Sequence, residues 1–187
     1  MNTSVQPVLE TVLDSRRLTM TPITSDHAFA LYAGLQSTAL YAFIPDEPPT
    51  SLGTLAERFR RLESRQSPDG QEWWLNWALR LKDSGTWIGH IEANVIPANG
   101  EASIAYIVFA EHWRQGYAKE ACQRLLGWLF DALGVLWVTA EMDTANVASY
   151  QLVESLGFAR VATTLAADTF KGRVSDEYRY ELESGAA

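Results

Sequence analysis

The stretch Ala105-Tyr106-Ile107-Val108-Phe109-Ala110-Glu111-His112-Trp113-Arg114-Gln115-Gly116-Tyr117-Ala118-Lys119-Glu120-Ala121 changes hydrophobic period part-way along, and that change decides the fold. Up to Phe109 it continues a strand from Ala102, whose apolar run Ile104 to Phe109 is the pattern of a strand covered on both faces. Beyond Gly116, residues Tyr117, Ala118, Ala121, Cys122, Leu125, Leu126, Leu129, Phe130 and Leu133 recur at helical spacing. They predict one wide apolar face on a helix of about four turns, with Gly134 ending it as a C-terminal cap. A helix start leaves backbone N–H groups unpaired and carries partial positive charge, so the strand-to-helix junction suits an anion. Gly116 permits a left-handed backbone and close approach of a phosphate, Ala118 keeps the first turn uncrowded, and Arg114 adds a positive charge.

Outward from this junction the chain alternates legibly. Trp73 to Leu81 and Thr86 to Ile96 read as a hairpin around Asp83-Ser84-Gly85, and Pro97-Ala98-Asn99-Gly100 forms the next turn. Val135 to Met142 is a buried strand, Val147 to Leu156 a short helix closed by Gly157, and Ala159 to Leu165 and Val174 to Leu182 are two final strands. Towards the N-terminus, Arg16 to Ile23 is a strand and His27 to Leu40 a helix with Phe29, Leu31, Tyr32 and Leu35 for its buried side. A proline-broken loop, Ala42 to Pro49, leads to a second helix in which Thr54 and Glu57 have capping-box spacing. A strand–helix–strand crossover inside a mostly antiparallel sheet is an α+β arrangement. One domain is expected over residues 1–187, with residues 1–14 loosely attached.

Composition narrows the class of partner. Fifteen Lys and Arg against 23 Asp and Glu leave a net charge of −8, which disfavours nucleic acid and is compatible with a cationic amine. No apolar run approaches the ~20 residues that span a bilayer. The first residues lack the basic start and hydrophobic block of a secretory signal. Cys122 is the single cysteine and sits in the apolar stripe, so it is expected in the core, and the chain is expected in a reducing cytoplasm. Trp73, Trp74, Trp77 and Trp87 crowd one hairpin, where core packing explains them better than a substrate pocket. A dinucleotide-binding Rossmann unit is disfavoured because no Gly-x-Gly-x-x-Gly occurs.

The run Trp113-Arg114-Gln115-Gly116-Tyr117-Ala118, followed by Lys119-Glu120-Ala121, resembles motif A of the GNAT acetyltransferases. Asn146-Val147-Ala148-Ser149, followed by Leu156-Gly157-Phe158, is similar to the Asn-x-x-Ser and Leu-Gly-Phe signature of the RimJ/RimL-like branch. Trp113 stands where that motif usually has Gln or Arg, a position that contributes mainly backbone. The resemblance implies a GNAT fold: a mixed, mostly antiparallel sheet of about seven strands with helices on both faces. In it the strand Ala102 to Phe109 splays from Val135 to Met142. It implies acetyl-CoA as cosubstrate, no metal, and transfer of the acetyl group by direct attack of a primary amine, on a small molecule or a protein N-terminus. The backbone of Tyr106, Ile107 and Val108 would pair with pantetheine, and N–H groups of Arg114, Gln115, Gly116, Tyr117, Ala118 and Lys119 would take the pyrophosphate. Asn146 would contact the pantetheine arm. Ser149 matches the branch's acid for the leaving thiolate, with Tyr150 as a rival hydroxyl. For the base, Glu141 and Asp168 occupy positions used by different relatives, and Glu92 and His90 on the hairpin, or a water with no dedicated residue, stay open beside them. Asp46 and Glu47, in the proline-broken loop, are placed to attract an amine. Relatives often pair through terminal strands, so a homodimer is expected. The rival class is a non-catalytic acyl-CoA sensor with the same fold.

Overall fold

A computed structural model of the chain describes residues 6–185. Strands β1 (Leu13–Asp14), β2 (Leu18–Pro22), β3 (Trp73–Leu81), β4 (Trp87–Ile96), β5 (Glu101–Val108), β6 (Trp137–Asp143), β7 (Ala159–Phe170) and β8 (Arg173–Glu183) form one sheet. Its order is β1-β2-β3-β4-β5-β6-β8-β7. Helices α1 (Gln6–Leu9), α2 (His27–Tyr32), α3 (Leu52–Leu62), α4 (Tyr117–Leu133) and α5 (Val147–Glu154) complete it. β5 and β6 run parallel, as the α4 crossover between them requires, and the remaining neighbours are antiparallel. The α+β architecture expected from the sequence is present, with eight strands because the two-residue β1 adds to the seven expected.

Each face of the sheet carries its own core. Ala121, Cys122, Leu125 and Leu129 of α4 pack with Ile91, Ala93, Val95, Ala102 and Ile104 in the larger cluster, together with Val153 and Leu156 from α5 and the turn after it. Fully burying each large apolar side chain contributes ~1.5–3 kcal/mol, which is why this helix holds its place along its whole length. Ala28, Leu31, Leu55 and Phe59 from α2 and α3 form a second cluster with Ala78 and Phe109. Trp77 is fully buried, donates its indole N–H to Thr11 O at 2.9 Å and meets Trp128 edge-on, while Trp73 packs against the same cluster. Trp74 points to the opposite face, as strand alternation requires, and Trp87 joins the second cluster.

The N-terminal half departs from the sequence expectations in several places. α2 ends at Tyr32, and two short 3-10 turns, Gly34–Gln36 and Thr38–Tyr41, replace the rest of the helix expected to Leu40. Gly34 follows that helix end and packs directly against the Phe109 ring, since an added Cβ there would lie 2.2 Å from it. Phe29, expected on the buried side, is 83% exposed, because Ala28, Leu31 and Leu35 form the buried line and Phe29 lies off it. α3 is capped by Ser51, whose hydroxyl accepts Thr54 N–H at 3.1 Å, so Thr54 lies inside the helix rather than at a capping-box start. Residues 1–5 fall outside the described residues, but the rest of the segment expected to be loosely attached is anchored. Leu9 and Leu13 are buried, and Glu10 pairs at 3.0 Å with the buried guanidinium of Arg65.

Gly89 on β4 leaves no room for a side chain. Its φ is +147°, and a Cβ there would meet Ile107 O at 2.0 Å. Gly89→Ala is therefore expected to lower unfolding stability by ~2–4 kcal/mol, read as a lower urea midpoint, through backbone strain and overpacking together.

Candidate active site

β5 and β6 pair only through Glu101↔Trp137, Ala102↔Val138 and Ser103↔Thr139. Beyond those positions β6 stays with β8 as far as Asp143, while β5 stays with β4 as far as Val108. A wedge thus opens through the sheet, and its β5 edge, from Ile104 onward, offers backbone groups with no neighbour on that side. This is the parting expected between the strand before the turn and the strand after the long helix.

The turn after β5 brings the wedge to the start of α4. Arg114 and Gly116 both adopt left-handed backbones, with φ of 61° and 79°. The first helical bond of α4 is Glu120 N–H to Gly116 O at 3.1 Å, which leaves Tyr117, Ala118 and Lys119 N–H ahead of it without a helical acceptor. Gly116 is the N-cap and supplies no side chain to satisfy them. Arg17, which the sequence reading did not single out, braces this turn. Its Nε donates to Glu120 at 2.6 Å, another guanidinium nitrogen donates to Gln115 O at 2.9 Å, and the group lies 4.4 Å over the Tyr117 ring. Burial alone would raise the Glu120 carboxyl, but bonds from Arg17 and Ser15 hold it below the usual carboxylate range. The pattern that could have exposed Arg17 is a contact between residues 103 positions apart, which local periodicity does not carry.

Alternation along β4 and β5 sorts the remaining groups onto the two faces of the wedge. On the α4 face, the Tyr106 hydroxyl lies 2.9 Å from Ser149 Oγ, and burial pushes the phenol well above its ordinary range. Asn146 caps α5 by accepting Ser149 N–H at 3.2 Å, which fixes the serine at the first turn. On the opposite face, Glu92, Asn94, Ser103, Ala105 and Glu141 line a cavity of about 170 Å³. Glu92 is half-buried, and desolvation raises its carboxyl, with Asp46 adding to the rise and Arg58 opposing it. A larger cavity of about 280 Å³ adjoins this face, walled by α3 and residues 46–50, with His90 and Ile107 on its floor.

The structure distributes the expected site residues unevenly. Ile107 lines the larger cavity, and Val108 is buried at the end of β5. Glu141 reaches the smaller cavity but is engaged by Arg179 at 3.0 Å. Asp168 sits on the outermost strand, exposed, accepting its neighbour Thr169 N–H. Tyr150 stacks edge-on with Tyr178 at 5.9 Å and takes no part in the Tyr106–Ser149 pair. Asp46 and Glu47 lie on the rim of the larger cavity, where Lys171, at the β7–β8 tip, donates to the carbonyls of Tyr41, Ile44 and Asp46. The Tyr106 side chain was not anticipated, because its sequence context pointed to backbone alone.

Comparison with known proteins follows from this geometry. The family profile described as Acetyltransferase (GNAT) domain matches residues 17–159. The chain belongs to the GNAT acetyltransferase family. An uncharacterized N-acetyltransferase, p20, from Bacillus licheniformis is 31% identical over 106 residues, 56% of this chain and 60% of that protein. The match thus spans well under two thirds of that relative's length. Among solved structures, RimL, a ribosomal L7/L12 alpha-N-protein acetyltransferase in complex with CoA, superposes with a TM-score of 0.84. That likeness is 17% identical and covers 95% of this chain and 100% of RimL. Spermidine N-acetyltransferase from Vibrio cholerae, solved with CoA and spermine, gives a TM-score of 0.78 at 18% identity, over 91% and 97% of the two chains. These two likenesses bear on the fold.

The β6–α5 turn that delivers Asn146 and Ser149 depends on Asp143. Its carboxylate accepts Ala145 N–H at 2.7 Å and Ser175 Oγ at 2.8 Å, and it pairs with Arg173. Burial pulls its pKa up, yet these bonds hold it below the ordinary value. A depressed folded pKa contributes stability that is present above the unfolded value of ~3.9 and is lost as the pH falls through the folded one. Asp143→Asn is expected to lose ~1–3 kcal/mol at neutral pH and to show a shallower acid limb in a stability-versus-pH profile.

Proposed function

We propose that the protein is an acetyl-CoA-dependent N-acetyltransferase of the RimJ/RimL-like branch, acting in the cytoplasm on a primary amine. The observation that carries this is the wedge between β5 and β6 opening beside the unpaired N–H groups of α4. The residues present fit acetyl-CoA on their own terms. Main-chain donors from Arg114 to Lys119 surround a left-handed glycine, where a diphosphate is stabilised by the helix start and by backbone hydrogen bonds. The β5 edge at Tyr106, Ile107 and Val108 has no strand beside it and offers backbone groups to a pantetheine arm in the manner of an added strand, apart from the Val108 carbonyl, which accepts the Trp113 indole N–H at 2.6 Å. Asn146 retains a side-chain amide N–H₂ beside that path, since only its oxygen is used as the α5 cap.

Bound acetyl-CoA supplies an activated acyl carbon and a thiolate leaving group. Glu92 takes a proton from the acceptor ammonium, directly or through a water, so that the nitrogen lone pair can form the new N–C bond. Desolvation raises its carboxyl above the ordinary glutamate value, which makes the carboxylate form a stronger base than an exposed glutamate. As the C–S bond breaks, Ser149, oriented by the Tyr106 hydroxyl 2.9 Å away, would give its proton to sulfur and recover one from water, while the amine proton taken by Glu92 returns to solvent. Base and acid approach from opposite faces of the wedge, which separates the entering amine from the leaving thiol. Glu92 is favoured over Glu141, whose carboxylate is engaged by Arg179, and over Asp168, which lies on the outermost strand. A non-catalytic sensor would need the wedge but no flanking proton donor and acceptor, so the Ser149–Tyr106 pair and Glu92 favour turnover.

Addition of an amine to protein and acetyl-CoA is expected to release free thiol. CoA at a hundredfold excess over its Kd should stabilise the fold by about 2.7 kcal/mol. Glu92→Gln is expected to lower kcat by ~100- to 10,000-fold with the fold intact. In the unsubstituted protein, kcat/KM should fall as the pH drops through the raised Glu92 value, above the 4.5 of an ordinary glutamate, and that limb should vanish in the variant. Thiol release that survives Glu92→Gln unchanged removes Glu92 from the mechanism. Absence of both thiol release and CoA stabilisation ends the proposal.

A further inference from the structure

The larger cavity bears two features that the acyl-transfer chemistry does not use. His90 is 9% exposed and its Nδ1 has no hydrogen-bond partner. Burial and the nearby Arg58 bring its pKa down to about 4, so at neutral pH it is an uncharged imidazole able to donate or accept according to tautomer. A buried polar nitrogen without a partner costs free energy unless something in the cavity satisfies it.

The second feature is the charge on the α3 wall. Arg58 and Arg61 both line the cavity, and among the described residues neither has an ion-pair partner. Other arginines on or near this helix are neutralised: Arg60 by Glu57 and Arg65 by Glu10. Arg58 is exposed at the edge of the cavity, and its charge bears on Tyr41, His90 and Glu92 together. Glu47, on the facing wall, is already paired with Lys171 at 3.6 Å, and Asp46 forms no ion pair with either arginine. A wall with uncompensated guanidinium groups attracts a carboxylate and repels a second ammonium. At about 280 Å³ the cavity admits a small molecule, not a folded protein surface.

We infer that the acceptor is a compact amine that carries a carboxylate, of amino-acid size, with the carboxylate on Arg58 and a polar contact on His90 Nδ1. This rests on the transferase proposal, which it narrows to a substrate class. His90 and Glu92 are two residues apart on one face of β4, ~6.5–7 Å along the strand. Arg58 and His90 line the larger cavity and Glu92 the smaller one on the same face, so the acceptor we infer spans from the first to the second, its carboxylate at Arg58 and its amine towards Glu92. A polyamine meets like charge on the α3 wall. A protein N-terminus leaves His90 and Arg58 to whatever its side chains supply.

The test uses the full chain loaded with CoA and matched pairs of ligands: α-, β- and γ-amino acids, each beside its carboxamide, with spermidine and a short peptide as competitors. Binding is read by calorimetry and turnover separately by thiol release from acetyl-CoA. At least one acid is expected to bind ~10- to 100-fold more tightly than its own amide. Arg58→Gln should erase that ratio, Arg58→Lys should restore part of it, and neither should shift the melting temperature of this exposed position. Equal binding of acid and amide in every pair, or preferential binding of spermidine or the peptide, overturns the inference. So does an Arg58→Gln variant that weakens both members of a pair equally. Acid-selective binding without thiol release keeps the site and overturns the transferase proposal, whereas thiol release without acid selectivity does the reverse.

Discussion

The parting of β5 from β6 after three paired positions is the constraint on which the rest of the molecule depends. A sheet normally satisfies its backbone groups by pairing, and an interior edge left open costs free energy unless something fills it. The surrounding structure is arranged to hold that opening. α4 and its apolar face fix β5 from one side, β8 fixes β6 from the other, and the turn at Arg114 to Gly116 closes the end of the wedge with donors. The two halves of the sheet are independently well paired, so the opening persists without loosening either of them.

Much of this was legible in the sequence because it is local. The change of period at Gly116 located α4 within a residue, and glycines at both ends gave its caps. The Asp83-Ser84-Gly85 turn fixed the β3–β4 hairpin, and the single parallel crossover followed from the element order. What escaped was set by distant partners. α2 was read as long because its periodicity continues to Leu40, but the helix ends at Tyr32 and Gly34 packs against the Phe109 ring 75 positions further on. Phe29 was placed inward on periodicity alone, whereas Ala28, Leu31 and Leu35 meet the core and Phe29 faces solvent.

The candidate site shows the same division. Main-chain donors around Gly116 could be placed from a strand, a glycine and a helix, since any residue there contributes the same N–H. Side-chain chemistry could not. Glu92 and Glu141 are equally acidic in the sequence, and only the fold shows one desolvated beside a cavity and the other held by Arg179. Ser149 was named through the likeness of Asn146-Val147-Ala148-Ser149 to the RimJ/RimL-like signature, yet its hydrogen-bond partner, Tyr106, lies 43 residues away on another element. Long-range pairing, such as Arg17 with Glu120, likewise lets an acidic side chain sit in the first turn of α4 without opposing an anion there.

Lys171 carries a consequence for how the cavity could be remodelled. The carbonyls of Tyr41, Ile44 and Asp46 converge on its ammonium from a stretch with no regular hydrogen-bonding ladder. The contour of that wall is therefore templated by a cation borrowed from a hairpin tip some 125 residues further on. Grafting the loop into a homologous scaffold would transplant its letters without its shape unless the hairpin tip travelled with it, so the two segments form one exchangeable module despite their distance in the chain.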